Sequence, residues 1–199
     1  MAKRDPWIQT LDGQQAWIED PSGLQFDPRT IATALSRIAR FNGHTTRFYS
    51  VAEHSVGVMR HVPKRLKLPA LLHDAHEAFT GFGDVCRPAK QLFTGLAEIE
   101  SRWDVAIAKW FGFSPSEFKD PKIKEADMRM LATEKRDLMS EEPSSWGDLP
   151  PPYCRKIWGK CSFDSAENMF HMHLTYLQRD IEEKRAIATL EEIHGGKES

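Results

Sequence analysis

Apolar positions recur along most of this chain at helical spacing, and the exceptions to that spacing carry the chemistry. Ile31, Ala34, Leu35 and Ile38 predict a first helix from Thr30 to Arg40, ended by Asn42-Gly43. Val51, His54, Val58 and Val62 form one stripe of a second helix, Val51 to Val62, with His54 at a position where an apolar residue is expected. Leu68 to Gly81 reads as a third helix, whose apolar run breaks into the adjacent pair His73-Asp74, with Glu77 one turn further on. Leu96 to Phe113 is amphipathic through Leu96, Ile99, Trp103, Ile107 and either Trp110 or Phe111. In the next helix, Ile123 to Met139, the stripe runs Ile123, Asp127, Met130, Leu131 and Leu138, so a carboxylate interrupts it. A last helix spans Asp164 to Ile193, with Met169, Phe170, His173, Leu177 and Ile181 expected to face the core.

The β-prone runs are short: Trp7 to Thr10 and Ala16 to Ile18 flank Asp12-Gly13, which supplies turn chemistry for a small hairpin. The fold class is therefore all-α, a helical bundle with a small N-terminal β-hairpin. One domain is expected over residues 1–199, comprising a hairpin and lead-in at 1–29, a long loop at 141–162 and a C-terminal helix at 163–194. The long loop lacks either periodicity, and its Trp146, Tyr153 and Trp158 predict an ordered segment packed on the body.

A net charge of -2 provides no broad electrostatic footprint for nucleic acid, and no apolar run approaches the length of a membrane span. Cys86, Cys154 and Cys161 are odd in number and have no paired spacing, which argues against a disulfide framework or a thiolate zinc site and points to a reducing compartment. MAKRDPWIQT has no apolar stretch of the signal-peptide kind, so a cytoplasmic location is expected.

Four candidate metal ligands stand on three predicted helices: His54, His73, Asp74 and Asp127. Two imidazoles with two carboxylates suit a divalent ion such as Mn, Co, Fe, Ni or Zn, and four protein ligands leave positions open for water and substrate. An ion held in this way activates water and polarises a phosphoryl oxygen, the requirements of hydrolysis. A buried Asp on an apolar stripe is costly unless a cation or several donors meet it, which strengthens the case for Asp127. His76, at i+3 from His73, leaves a second metal site open as an alternative.

The order H, HD, D in a helical chain resembles the HD-domain phosphohydrolases. The blocks RFNGHTTRFYSVAEHS, ALLHDAHEA and EADMRMLATEKRDL are similar to those of the small YfdR-like and YfbR-like proteins, the latter 5'-deoxynucleotidases. The resemblance runs from the N-terminal hairpin to Leu138 and implies an HD-domain bundle with one divalent metal ion (Co, Mn, Zn, Ni, Fe or Mg) on His54, His73, Asp74 and Asp127. It further implies catalytic roles for Glu77 and Asp84, the first positioning or protonating groups during transfer and the second near the sugar or leaving oxygen. Arg40 and Phe41 fall near an arginine-aromatic pair for phosphate and base, one residue nearer His54 than in that pattern. His44, on the loop after them, is the best candidate for a further substrate contact.

The activity this implies is hydrolysis of the 5' phosphoester of a (deoxy)nucleotide. Alternatives are release of triphosphate from a dNTP, as in the compact phage dATP triphosphohydrolases that resemble this group, phosphodiesterase action on cyclic nucleotides or dinucleotides, and a non-catalytic nucleotide-binding module. The expected partners are a small-molecule (deoxy)nucleotide substrate and further copies of the chain in a homo-oligomer, with no nucleic acid and no membrane.

Overall fold

The structure, a computed structural model, describes residues 6–195 except Trp158 and Lys160, without the side chains of 184–195. The aromatic contribution expected of Trp158 to the long loop, the N-terminal MAKRD and the polar tail after Gly195 lie outside the described residues. The architecture is all-α with a small hairpin, as the periodicity predicts.

Strands β1 (Trp7–Gln9) and β2 (Gln15–Trp17) pair antiparallel, with Ile8 opposite Ala16. Seven α-helices follow among the described residues: α1 (Pro28–Arg37), α2 (Val51–Arg60), α3 (Lys67–Leu71), α4 (Arg87–Lys90), α5 (Leu96–Phe111), α6 (Pro121–Leu138) and α7 (Phe163–Gly195). α1 packs along α7, and α2 lies at the centre, against α1, α3, α6 and α7. No helix among the described residues is long and apolar enough to cross a membrane.

Local chemistry sets most boundaries. Asp27 caps α1 by accepting from the Thr30 amide at 2.7 Å, and Pro28 occupies the first turn, so the helix starts ahead of Thr30. Ser50 and Glu53 form a reciprocal capping box at the start of α2. Gly95 and Gly112, both at positive φ, bracket α5. Within α5 the structure chooses Phe111 for the core and leaves Trp110 about half exposed.

The core runs from the hairpin through the bundle. Trp103 of α5 is fully buried, stacks on Phe79 at 5.1 Å and donates from Nε1 to the Ile18 carbonyl at 2.8 Å. That one side chain ties the hairpin to α5 and to the segment that follows His73-Asp74.

The continuous helix expected over Leu68 to Gly81 is not what forms. α3 ends at Leu71, Leu72 and Asp74 adopt φ/ψ near -99°/5° and -109°/15°, and a 3-10 turn covers Ala75–Ala78. These are bridge-region conformations, in which the regular i to i-4 ladder opens. His73 and Asp74 therefore leave the chain at a bend, free of the fixed angle between neighbours on a helix. The first helix likewise stops at Arg37, and Arg40 to Gly43 forms a separate 3-10 turn with Phe41 and Asn42 at positive φ.

The long connection follows the body. Tyr153 stacks on His61 with centroids 3.6 Å apart and lies under the Arg129 guanidinium, and its amide donates to Thr133 Oγ1 at 2.9 Å. Trp146 meets Phe41 at 6.1 Å.

Candidate metal centre

His54 is fully buried on α2, and its two ring nitrogens have different tasks. Nδ1 lies 2.6 Å from Glu134 Oε1, so it carries the proton and donates to that carboxylate. Nε2 faces the other way, 3.2 Å from Asp127 Oδ1 and 3.7 Å from Asp74 Oδ2, without the alignment of a hydrogen bond. His73 repeats the pattern from the bend after α3. Its Nδ1 donates to the Ala70 carbonyl at 2.9 Å, and its Nε2, 3.2 Å from Asp74 Oδ2, has no hydrogen-bond partner among the described residues.

One ligand atom from each of His54, His73 and Asp74 lies within 4.8 Å of the others, a group that could hold a metal ion. Asp127, on α6, is outside that sphere but adjoins it through His54. The structure thus gathers His54, His73 and Asp74 from α2 and the α3 bend, with Asp127 of α6 beside His54. Two imidazole Nε2 atoms directed at carboxylates, with both Nδ1 atoms held by a carboxylate or a carbonyl, match the way metal-ligating histidines are oriented.

The electrostatics agree with a cation. Burial and the Arg40 charge disfavour a proton on the His54 ring, yet Glu134 and Asp127 outweigh them and push its pKa up to about 10. Burial also opposes ionisation of Asp74, but His73, His54 and Arg40 hold its carboxyl well below the usual range. In the same way His54 and Arg40 overcome burial and bring Glu134 down to about 2. The pocket is a set of ionised carboxylates that demands positive charge on His54 or between the ligands.

Glu134 was absent from the sequence-derived candidates and is the central supporting residue. It is fully buried, accepts from His54 through Oε1 and pairs through Oε2 with Arg40 Nη2 at 3.1 Å. The signal was present, since Glu134 falls at i+7 from Asp127 on the same face of α6, where an ionised side chain needs the same explanation.

The remaining candidates surround this centre at different depths. Arg40 is buried, and besides Glu134 its Nη1 lies 3.4 Å from both oxygens of Asp84, so the residue expected to grip phosphate is held by two carboxylates of the protein. Burial, opposed by Arg40, raises the Asp84 pKa. Glu77 is buried with Oε2 unpartnered among the described residues, and burial together with the charges of Asp74 and Asp84 raises its pKa well above the usual carboxylate range. Phe41 stays beside Arg40, the guanidinium lying 5.2 Å from its ring. His44 is exposed and lines a cavity of about 230 Å³ with Lys135, Met139 and Trp146 instead of facing the ligands. His76 is buried, with Nδ1 3.0 Å from Asp104 Oδ1 and Nε2 3.7 Å from Glu100 Oε1.

The fold and site together define a helical protein with a buried histidine-carboxylate group able to hold a metal ion. No family model matches the chain. It is 36% identical over 140 residues to the uncharacterized protein YfdR of Escherichia coli (strain K12), an alignment covering 70% of this chain and 76% of that protein. An uncharacterized protein of Rhodobacter capsulatus is 35% identical over 116 residues, covering 53% of this chain and 58% of that one. The chain belongs to the YfdR family.

Proposed function

We propose that the protein is an HD-domain type phosphohydrolase that cleaves the 5' phosphoester of a (deoxy)nucleotide, giving the nucleoside and phosphate or polyphosphate. One observation carries the reading: the Nε2 atoms of His54 and His73 converge on Asp74 Oδ2 at 3.7 and 3.2 Å, with Asp127 3.2 Å from His54 on a third element. A structural ion would be fully enclosed, whereas Asp74 and Asp127 retain 18% and 26% side-chain exposure, which supports access for a substrate.

A divalent ion bound by these four residues supplies Lewis acidity toward a phosphoryl oxygen and toward water. The protein's own groups then divide the remaining tasks. Glu134 and the Ala70 carbonyl keep the protons of His54 and His73 on Nδ1, so both Nε2 atoms stay directed at the ligand position. Glu77, whose carboxyl is pushed toward its protonated form by burial and by the charges of Asp74 and Asp84, serves as the proton donor to the departing 5' oxygen. Arg40 orients Asp84 and Glu134 and so ties the rim of the site to its ligand sphere. Mixed imidazole and carboxylate donors accept Mn, Co, Fe, Ni or Zn.

The test is a release screen over dNMPs, NMPs and dNTPs with Mn, Co and Zn, resolving phosphate from tripolyphosphate, with Asp74→Ala as control. Metal-dependent release that Asp74→Ala abolishes is expected. Absence of release from every nucleotide, or full turnover in Asp74→Ala, would overturn the reading.

A further inference from the structure

Part of the long connection is fastened to α6 through its backbone. From Pro151 to Ile157 every second residue bonds a side chain of that helix. The Pro151 carbonyl accepts from Arg129 Nε at 3.2 Å, and the Tyr153 amide donates to Thr133 Oγ1 at 2.9 Å. The Tyr153 and Arg155 carbonyls accept from Arg136 at 2.8 and 3.4 Å, and the Ile157 amide donates to Asp137 Oδ2 at 2.8 Å. Residues 129, 133, 136 and 137 form one stripe of α6, and at 100° per residue Asp127 and Glu134 fall on the opposite one. The strap therefore supports from outside the helix that carries Asp127 and Glu134 inside.

Tyr153 also ties the strap to α2. Its ring lies face to face with His61, the residue that ends that helix, with centroids 3.6 Å and planes 10° apart, and the Arg129 guanidinium stands 4.2 Å from the same ring. Two planar groups this close cannot share one face, so the phenol is sandwiched between an imidazole and a guanidinium. Arg129 already takes the attraction that the ring offers to a cation. A charge on His61 would be a second cation on that ring, facing Arg129 of α6, Arg60 of α2 and Arg155 of the strap. The other ionisable groups of the neighbourhood are Glu125 of α6, which acts on Tyr153, and His173 of α7, which feels Arg60. Unlike His54, His73 and His76, His61 has no carboxylate within ion-pair distance among the described residues. Burial against its neighbours and the three arginines accordingly lower the His61 pKa from its ordinary value. Docking thus requires the neutral ring: the strap is fully fastened above about pH 6.5, the ordinary imidazole value, and loses stability as pH falls from there through the lower docked value.

We propose that His61 is an acid-sensitive latch on the 151–157 strap: uncharged, it stacks on Tyr153 and holds the strap on α6; charged, it releases the strap and the outer support of that helix. The latch does not depend on the phosphohydrolase reading. Its test is hydrogen exchange of the full-length protein by NMR at the Tyr153 and Ile157 amides from about pH 7.5 to about pH 5.5, corrected for the pH dependence of intrinsic exchange, with the His61 ring titrated in the same samples. Protection at both amides is expected to fall several-fold across that range, while amides at the centre of α5 keep theirs, and His61 is expected to titrate below its ordinary value. His61→Phe keeps a stacking ring that cannot charge and should leave the strap equally protected at every pH. His61→Gln, smaller and equally uncharged, repeats the comparison without a ring. Arg129→Gln removes the cation across the phenol and should raise the His61 midpoint. Protection independent of pH in the wild type, the wild-type fall persisting in His61→Phe or His61→Gln, or a His61 midpoint at or above its ordinary value overturns the latch.

Discussion

Glu134 shows how much of this centre depends on a residue outside the predicted ligand set. It accepts the His54 Nδ1 proton at 2.6 Å and takes Arg40 at 3.1 Å, so one buried carboxylate fixes a ring orientation and neutralises a buried guanidinium. Glu134→Gln keeps the shape and an acceptor but removes the charge, and should lower metal affinity about 10- to 100-fold, the usual effect of changing the group that holds a ligating histidine. Equilibrium dialysis with elemental analysis reads this directly. Glu134→Ala goes further, leaving Arg40 with one carboxylate partner and His54 with none at Nδ1, and should cost about 3–5 kcal/mol of stability in denaturant unfolding. His54, Asp127 and the HD pair were legible because each breaks a pattern or forms a recognisable pair. Glu134 breaks the same pattern, but a polar residue inside a charged run, TEKRD, reads as surface until the helix is oriented.

Among the elements, the approach of α2 to α6 sets the spacing of His54 and Asp127. Gly57 is one turn from His54 and Met130 one turn from Asp127, and a Cβ added at Gly57 would meet Met130 Cε at 2.7 Å. The obstacle is the end of a flexible side chain, and alanine gains roughly 1 kcal/mol over glycine inside a helix, so Gly57→Ala should change stability by no more than about 1 kcal/mol. Gly57→Leu cannot be absorbed by one methionine. It should push α2 from α6, reduce metal affinity by about tenfold or more and cost about 1–3 kcal/mol, as overpacked core positions do. Helical circular dichroism should be retained, and wild-type metal affinity in Gly57→Leu would show that this contact does not set the spacing.

The helices themselves followed from apolar periodicity at α1, α2, α5, α6 and α7, because burying one stripe of each is a local requirement that the sequence states openly. The short α4 and the break after Leu71 were not legible in that way. α4 has four residues and no buried one, so no stripe announces it. The segment LPALLHDAHEAFTG has good helix formers on both sides of a bend that tertiary contacts impose. Phe79, stacked on Trp103, and Gly81, at positive φ with Ile8 3.5 Å from where its Cβ would stand, hold that segment against α5 and the hairpin.

For the whole molecule, Trp103 is the joint between the hairpin, α5 and the segment carrying Glu77. Trp103→Ala removes a fully buried indole, its stack on Phe79 and its bond to Ile18, and should cost about 3–5 kcal/mol in urea unfolding. The candidate metal group acts at the same scale, since His54, His73 and Asp74 join α2 to the α3 bend with Asp127 of α6 beside them, and an ion held by the folded state alone would stabilise that state by mass action. Chelator-treated protein given Mn, Co or Zn at a hundredfold excess over the dissociation constant should gain about 2.7 kcal/mol. Differential scanning calorimetry should show the rise in wild type and its loss in Asp74→Ala.

The amino-acid sequence by itself determined the all-α class, the small hairpin around Asp12-Gly13 and the residue types of the centre, because periodicity, turn chemistry and anomalous polar positions are properties of a segment. Only the tertiary structure decided that Arg40 is held between Glu134 and Asp84, and that His44 lines a cavity with Trp146. Availability of a charged side chain is fixed by what distant segments place beside it, and Arg40 meets Asp84 and Glu134 across 44 and 94 residues of chain.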